Sequence, residues 1–410
     1  MKQMIPSSNE RDRRFAPVAV IRTLLVAGCA IVVALGCGSG DSGSSSPGGS
    51  PTPVPTAMPA PTPTAVPALA AMPLAERGFA LSVNQDGWIS YREDTRTSAI
   101  GYMSGVTWAP DAEKPSVPLP KLPCDGLPPE ACFHRFDTVL EIGDDGWIFG
   151  DHVIFGSGGP FIPLPALFGP GQSSVLLIDP EHPPLELDTI AGFAAHLCAG
   201  ARVAGELTLR EAGSPSPVRR PVLWPAPYQP MLRLPSGDRG AAAMSCDRSG
   251  RVAGVADAPS RAAVWLPDPI TGYAQVLLPL DGADASAALA IDVAQVVGWR
   301  SDAARSTPVA WIENGGGFVA SVLPDLPDVR CERAIATSGT RIAGSCGLHG
   351  VAWDRAADAV GWRVVAELLP LPGDAQAGVV AMSGDLAVGW SGAGDDVVDK
   401  HPVAWRLPPH

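Results

Sequence analysis

Helical periodicity is what this sequence has least of: no window of its 410 residues keeps an amphipathic 3.6-residue period for three turns. That leaves an all-β fold. The spacings of common active sites are missing too. There is no GxSxG, no P-loop, and no GxGxxG that follows a strand and opens a helix. There is no CxxC and no HExxH. The seven histidines (His134, His152, His182, His196, His349, His401 and His410) keep no other ligand spacing, so neither a metal nor a cofactor is expected. Positive charge is scarce: 29 Lys and Arg face 42 Asp and Glu, a net charge of −13. Removing residues 1–37 takes away five basic and two acidic side chains and leaves 24 against 40, or −16. Nucleic acid and anionic lipid headgroups are excluded as partners on that balance.

What the sequence does have is a repeat. Val276–Trp311 reads as an apolar strand at Val276–Leu280, a hairpin of Ala287–Ile291 and Gln295–Trp299 about the turn Asp292-Val293-Ala294, and a fourth strand at Pro308–Trp311. The same grammar returns in Arg233–Trp265, Leu323–Trp353 and Glu367–Trp405. Weaker copies end at Trp108, Phe155 and Trp224. Successive closing aromatics lie 47, 69, 41, 46, 42 and 52 residues apart. Four short strands in that period predict a β-propeller of seven blades, with a surface insertion near Pro180–Pro184 in the long gap. One such sheet cannot bury both faces alone, so neighbours must stack. Small hairpin residues (Gly254, Gly298, Gly344, Gly389) are expected near the axis, where sheets converge, and Trp on the outermost strand, where they diverge. A β-sandwich and an open β-solenoid are the competing architectures.

The units resemble the HAF repeats of bacterial extracellular proteins. That pattern pairs an A-I-N-D-x-G-Q-V-V-G-like hairpin with an H-A-F-like strand. The matching stretches are Ala288–Gly298, Ala243–Gly254 and Ala381–Gly389, with strands at His349–Trp353 and His401–Trp405. Most copies here lack the His and end in Trp. The resemblance covers about residues 78 to 405 and implies repeat architecture and export, with no activity attached.

Residues 1–37 read as an export signal. Lys2, Arg11, Arg13 and Arg14 precede the 14-residue apolar run Thr23–Gly36, which is too short to span a bilayer. The run ends Ala34-Leu35-Gly36-Cys37, which resembles a lipoprotein lipobox, with Cys37 as the lipidated residue and Cys29, after Val26-Ala27-Gly28, as its rival. Residues 38–72, Gly/Ser-rich and then Pro/Thr-rich, predict a disordered linker that is extended in its second part. Residues 73–410 are the expected propeller, lipid-anchored to the cell envelope, monomeric, and touching membrane only through the lipid. Six cysteines remain in an exported chain, which suggests disulfides. Cys331 and Cys346 lie symmetrically about Ser338-Gly339, so a hairpin sets them opposite. Cys124 and Cys132 bracket a short loop. Cys198 and Cys246 hold matching places in adjacent repeats and could join two blades.

Six turn acids (Asp86, Asp144, Asp145, Asp247, Asp292 and Asp385) could ring a channel mouth, although Asp before Gly is also what a tight turn requires. Asp395, Asp396 and Asp399 lack the order of a Ca²⁺ loop. Arg219-Arg220 reads as an exposed loop. Trp88, Trp147, Trp299 and Trp390 are either a sugar-stacking surface or packing between blades. Two functions stay open: a non-catalytic binding or scaffolding module for an extracellular protein or glycan, and a secreted propeller enzyme that cleaves glycans.

Overall fold

The computed structural model describes residues 65–94, 103–108, 117–118, 136–154, 162–169, 174–177, 190–198, 200–209, 216–227, 229–237, 240–257, 260–293, 295–356, 361–394 and 399–409. The chain divides into two units, Met1–Thr62 and Pro63–His410, and the described residues belong to the second. The export signal with Cys29 and Cys37, Cys124, Cys132, Phe155, the Pro180–Pro184 stretch, Asp395, Asp396, His134, His182 and His410 lie outside the described residues.

Among the described residues there is no α-helix, and the strands form a β-propeller of antiparallel sheets. Sheet 1 holds Gly78–Val83, Ile89–Asp94, Met103–Trp108 and Val117–Pro118. Sheet 2 holds Phe136–Ile142, Ile148–Ile154, Ile162–Phe168 and Ser174–Leu176. Sheet 3 holds Ile190–Cys198, Arg202–Leu209, Val218–Trp224 and Leu232–Arg233. Sheet 4 holds Ala241–Cys246, Val252–Asp257, Ser260–Asp268 and Gly272–Leu277. Sheet 5 holds Ala285–Asp292, Gln295–Ser301, Ser306–Asn314 and Gly317–Val322. Sheet 6 holds Cys331–Ser338, Arg341–Cys346, His349–Arg355 and Trp362–Leu368, with Ala68–Leu69 added in parallel at its outer edge. Sheet 7 holds Gln376–Ser383, Leu386–Gly392 and Lys400–Arg406, and its outermost strand is Met72–Pro73. Six sheets are thus four-stranded and antiparallel throughout, and one is five-stranded. The first strands of consecutive sheets lie against one another, and that of sheet 7 lies against that of sheet 1.

The repeat is phased differently from the sequence reading. Trp265, Trp311, Trp353 and Trp405 sit on third strands, and Val276–Leu280 begins in the outer strand of sheet 4 rather than in sheet 5. The reason is a contact between sheets. Each indole is buried and donates Nε1–H to a backbone carbonyl just past the outer strand of the preceding sheet. Trp224 reaches Leu177 O (2.8 Å), Trp265 Pro235 O (2.6 Å), Trp311 Pro279 O (3.1 Å), Trp353 Pro324 O (2.8 Å) and Trp405 Leu369 O (2.8 Å). The Leu-Pro corner and the Trp recur together in sequence because they meet across two sheets. Burying an indole removes about 150–250 Å² from water, roughly 4–6 kcal/mol of gross stabilisation.

Sheet 2 fills this place with Phe168, which pairs with Ile148 as Trp108 pairs with Ile89 in sheet 1. Phe168 thus holds in sheet 2 the register position that Trp108 holds in sheet 1, while Phe155 lies outside the described residues. With Phe168 the first two spacings become 60 and 56 residues.

The hairpin glycines also have a different cause from the expected close approach of sheets. The first strands of six sheets carry a β-bulge at one place: Ala80/Ser82, Val139/Glu141, Ala243/Ser245, Ala288/Ala290, Ala334/Ala336 and Val379/Ala381. The bulge pushes a carbonyl toward the second strand of its own sheet. A Cβ on Gly254, Gly298, Gly344 or Gly389 would lie 1.9–2.0 Å from the oxygen of Ala242, Ala287, Arg333 or Gly378. Only glycine fits there.

The fold also uses chain ahead of residue 73. Besides the pairing of Ala68–Leu69 and Met72–Pro73, Leu74 N–H donates to Pro402 O (2.9 Å) and Glu367 N–H to Pro67 O (2.9 Å). Val66, Leu69, Met72 and Leu74 pack on three apolar clusters that together take in sheets 5, 6, 7 and 1.

Candidate functional site

The hairpin turns between first and second strands gather at one end of the propeller, and each is tied to the next. Asn84 Nδ2 donates to Gly143 O (3.1 Å) and Gln85 N–H to Asp144 Oδ1 (2.8 Å), joining sheets 1 and 2. Glu141 Oε1 meets His196 Nδ1 (2.8 Å), and its other oxygen accepts the Leu197 N–H, joining sheets 2 and 3. Arg202 Nη1 donates to Arg248 O (2.6 Å), joining sheets 3 and 4. Arg251 Nη2 donates to Asp292 O (3.0 Å), joining sheets 4 and 5. Gln295 Nε2 donates to Thr337 Oγ1 (2.6 Å) and Gly339 N–H to Asp292 Oδ2 (2.5 Å), joining sheets 5 and 6. Gly384 N–H donates to Ser338 Oγ (2.9 Å), joining sheets 6 and 7.

Among the described residues, two disulfides reinforce this scaffold. Cys198–Cys246 links sheet 3 to sheet 4, with Cα atoms 5.3 Å apart. Cys331–Cys346 closes the first hairpin of sheet 6. Its turn residues are Gly339 and Thr340, one step beyond the centre read from sequence. Two bulges in Cys331–Ser338 absorb that step and keep the cysteines opposite. Such disulfides point to an oxidising, extracytoplasmic compartment. No helix among the described residues is long and apolar enough to cross a membrane.

A cavity of about 430 Å³ opens at this end, lined by Asp144, Asp145, Gly200, Arg202 and Arg248 from the turns of sheets 2, 3 and 4. Gly146, Gly200 and Gly250 hold these turns with φ of 78°, 76° and 84°. Arg248 Nη2 lies 2.7 Å from Asp144 Oδ2, so this pair joins sheet 2 to sheet 4 past the turn of sheet 3. Asp145 Oδ1 accepts the Trp147 N–H at 3.4 Å. Two carboxylates and two guanidiniums therefore meet in one cavity with no net charge, in a chain of net charge −13.

The other turn acids are spread out. Asp247 is buried and accepts from Ser249 N–H (2.9 Å), Arg251 N–H (3.0 Å) and Arg251 Nε (2.7 Å). Asp292 holds Val293 N–H (2.6 Å) besides Gly339 N–H. Asp385 reaches Arg406 (3.5 Å), and Asp86 is exposed. Of the six, only Asp144 and Asp145 line the cavity. Arg202 and Arg248 had no signal in sequence, because their meeting depends on the neighbouring turns of three sheets.

The remaining candidates take structural places. His349 Nδ1 pairs with Glu367 Oε1 (2.6 Å) and His401 Nδ1 with Asp374 Oδ2 (3.0 Å). Ser391 Oγ donates to the same Asp374 oxygen (2.6 Å) rather than to the histidine. Arg219 and Arg220 lie on the strand Val218–Trp224, not in a loop, and reach Glu206 (3.4 Å) and Ser236 Oγ (3.3 Å). Trp299 packs beside Ala242, Val255 and Ala287, and Trp147 on the core between sheets 2 and 3. Trp390 lies under Lys400 Nζ, 3.7 Å from its ring centre. Among the described residues no group of three or more His, Cys, Asp or Glu could hold a metal ion. Half-buried Asp268 and exposed Asp302 are held below the ordinary carboxylate value by backbone N–H donors, Thr271 and Ile270 for the first, Ala304 and Arg305 for the second. Burial raises the Tyr273 phenol, which donates to Gly250 O (3.0 Å). No protein-family model matches the chain, and no curated protein matches it.

Proposed function

We propose that this chain is an exported lipoprotein, held through Cys37, whose propeller closes as a ring of seven blades and acts as a non-catalytic binding module. Its partner is an extracellular protein or glycan, engaged at the end where the first hairpin turns gather. The observation that carries this reading is the cavity of Asp144, Asp145, Arg202 and Arg248: a pre-formed, charge-balanced recess on a cross-linked frame. The arrangement suits recognition, because its charged groups stand on turns that neighbouring sheets hold in place. The HAF-like repeats and the lipobox-like Leu35-Gly36-Cys37 support the same address.

Two measurements test it. Intact mass of protein from the membrane fraction of a bacterial host should begin at Cys37 with added lipid and rise by the hydrogens of its disulfides on reduction. Calorimetry against soluble peptides and oligosaccharides, with mass spectrometry of the mixture, should give binding without turnover. A chain that starts at Met1, or a product that accumulates with time, refutes the reading.

A further inference from the structure

We infer that the cavity at the turn end recognises an α-amino acid zwitterion, an ammonium and a carboxylate borne on one carbon. This rests on the non-catalytic binding reading and goes beyond it, because it assigns the recess itself a small ligand that is neither the protein nor the glycan partner. Arg248 and Asp144 touch at 2.7 Å, so their charges are adjacent. A ligand that satisfies both at once must carry opposite charges that are equally adjacent. An α-amino acid does, whereas the termini of an extended dipeptide lie about two residues' length apart. Its carboxylate takes the guanidinium of Arg248, and its ammonium takes the carboxylate of Asp144. The pair is accessible enough to exchange partners, with side-chain exposures of 57% for Arg248 and 28% for Asp144.

The second pair supports the first. Arg202 commits one of its five N–H donors to Arg248 O (2.6 Å) and keeps others for a carboxylate at the same place. Asp145 uses only Oδ1 on the Trp147 N–H, and its Oδ2 has no partner among the described residues. The lining sums to zero charge, which matches a ligand of zero net charge and disfavours a uronate or a polycation. The recess of about 430 Å³ is wide open to solvent, which suits a small polar ligand rather than an apolar one. The Cys198–Cys246 disulfide joins the turn that leads to Arg202 to the one that carries Arg248, so the two guanidiniums are positioned before the ligand arrives.

The test is calorimetry of the full chain in detergent against L-alanine, L-serine and L-glutamine, their N-acetyl and carboxamide forms, glucose and glucuronate. Free amino acids should bind, and either cap should weaken binding at least tenfold. Asp144→Asn and Arg248→Gln should each weaken it at least tenfold, while Asp385→Asn, on a turn outside the cavity, should bind as the parent does. Circular dichroism melts of each variant establish that it is folded. Capped and free forms binding alike would overturn the inference. So would binding of a sugar but of no free amino acid, an outcome that leaves the binding-module reading standing. No binding by any probe also overturns it, whereas turnover of a probe overturns the binding-module reading instead.

Discussion

Replacing Gly298 by Ala adds one methyl group and should be among the most damaging small changes in the chain. The new Cβ would sit 2.0 Å from Ala287 O, 3.0 Å from Ala287 C and 3.1 Å from Ala288 Cα, all backbone atoms. No side chain can turn aside, so the carbonyl must retreat by about 1.4 Å to reach ordinary contact. That carbonyl belongs to the bulge between Ala288 and Ala290, and moving it strains the pairing of Ala287 with Trp299 and Ala288 with Gly298. Overpacking of this kind costs about 1–3 kcal/mol. A buried backbone group left unpaired adds about 1–3 kcal/mol. Loss of glycine's freedom in the unfolded chain returns about 0.4–1 kcal/mol. The net expectation is a loss of roughly 1–6 kcal/mol, read from urea unfolding followed by tryptophan fluorescence. Gly237→Ala is the control, since its added Cβ would meet nothing within 4 Å, and it should stay within about 0.5 kcal/mol. If Gly298→Ala and Gly237→Ala unfold at the same urea concentration, the bulge argument fails.

Trp311→Phe removes the donor to Pro279 O (3.1 Å) and leaves that carbonyl unsatisfied, which should cost about 1–3 kcal/mol in the same assay; a neutral outcome would separate the Trp from the Leu-Pro corner. Cys331→Ala with Cys346→Ala opens a loop of sequence separation 15 and should cost about 3 kcal/mol, whereas opening Cys198–Cys246, with separation 48, should cost about 4 kcal/mol. Equal melting temperatures with and without reductant would contradict both values. Asp268 and Asp302 have folded values depressed below 3.8, so their stabilisation is present above that value and is lost as pH falls through the folded one. NMR titration of their carboxyl carbons should give midpoints below 3.8, and midpoints at or above it would contradict the capping bonds.

Some of the frame was legible before any coordinates. Short β-favouring runs between Gly, Pro and Asp marked the strands, because those residue types act within a few neighbours in the chain. The Cys331–Cys346 pair was legible for the same reason, although two bulges moved the turn beneath it. The phase of the repeat was not. The stretch Val276–Trp311 joins the outer strand of one sheet to the third strand of the next, since the two features that recur together, Pro279 O and the Trp311 indole, meet between sheets. Spacing points to Phe155, whereas the residue of sheet 2 paired as Trp108 is in sheet 1 is Phe168, a register that spacing alone does not reveal.

Local chemistry, written in the sequence, determined an all-β chain of repeated strands and the turn acids. Tertiary structure alone decided that Asp144 and Asp145 share a cavity with Arg202 and Arg248 while Asp247 and Asp292 are spent on turns. Arg248 and Asp144 are 104 residues apart and meet only because the sheets curve around one axis. A contact set by curvature leaves no periodic mark on the chain, so only the folded arrangement could disclose it.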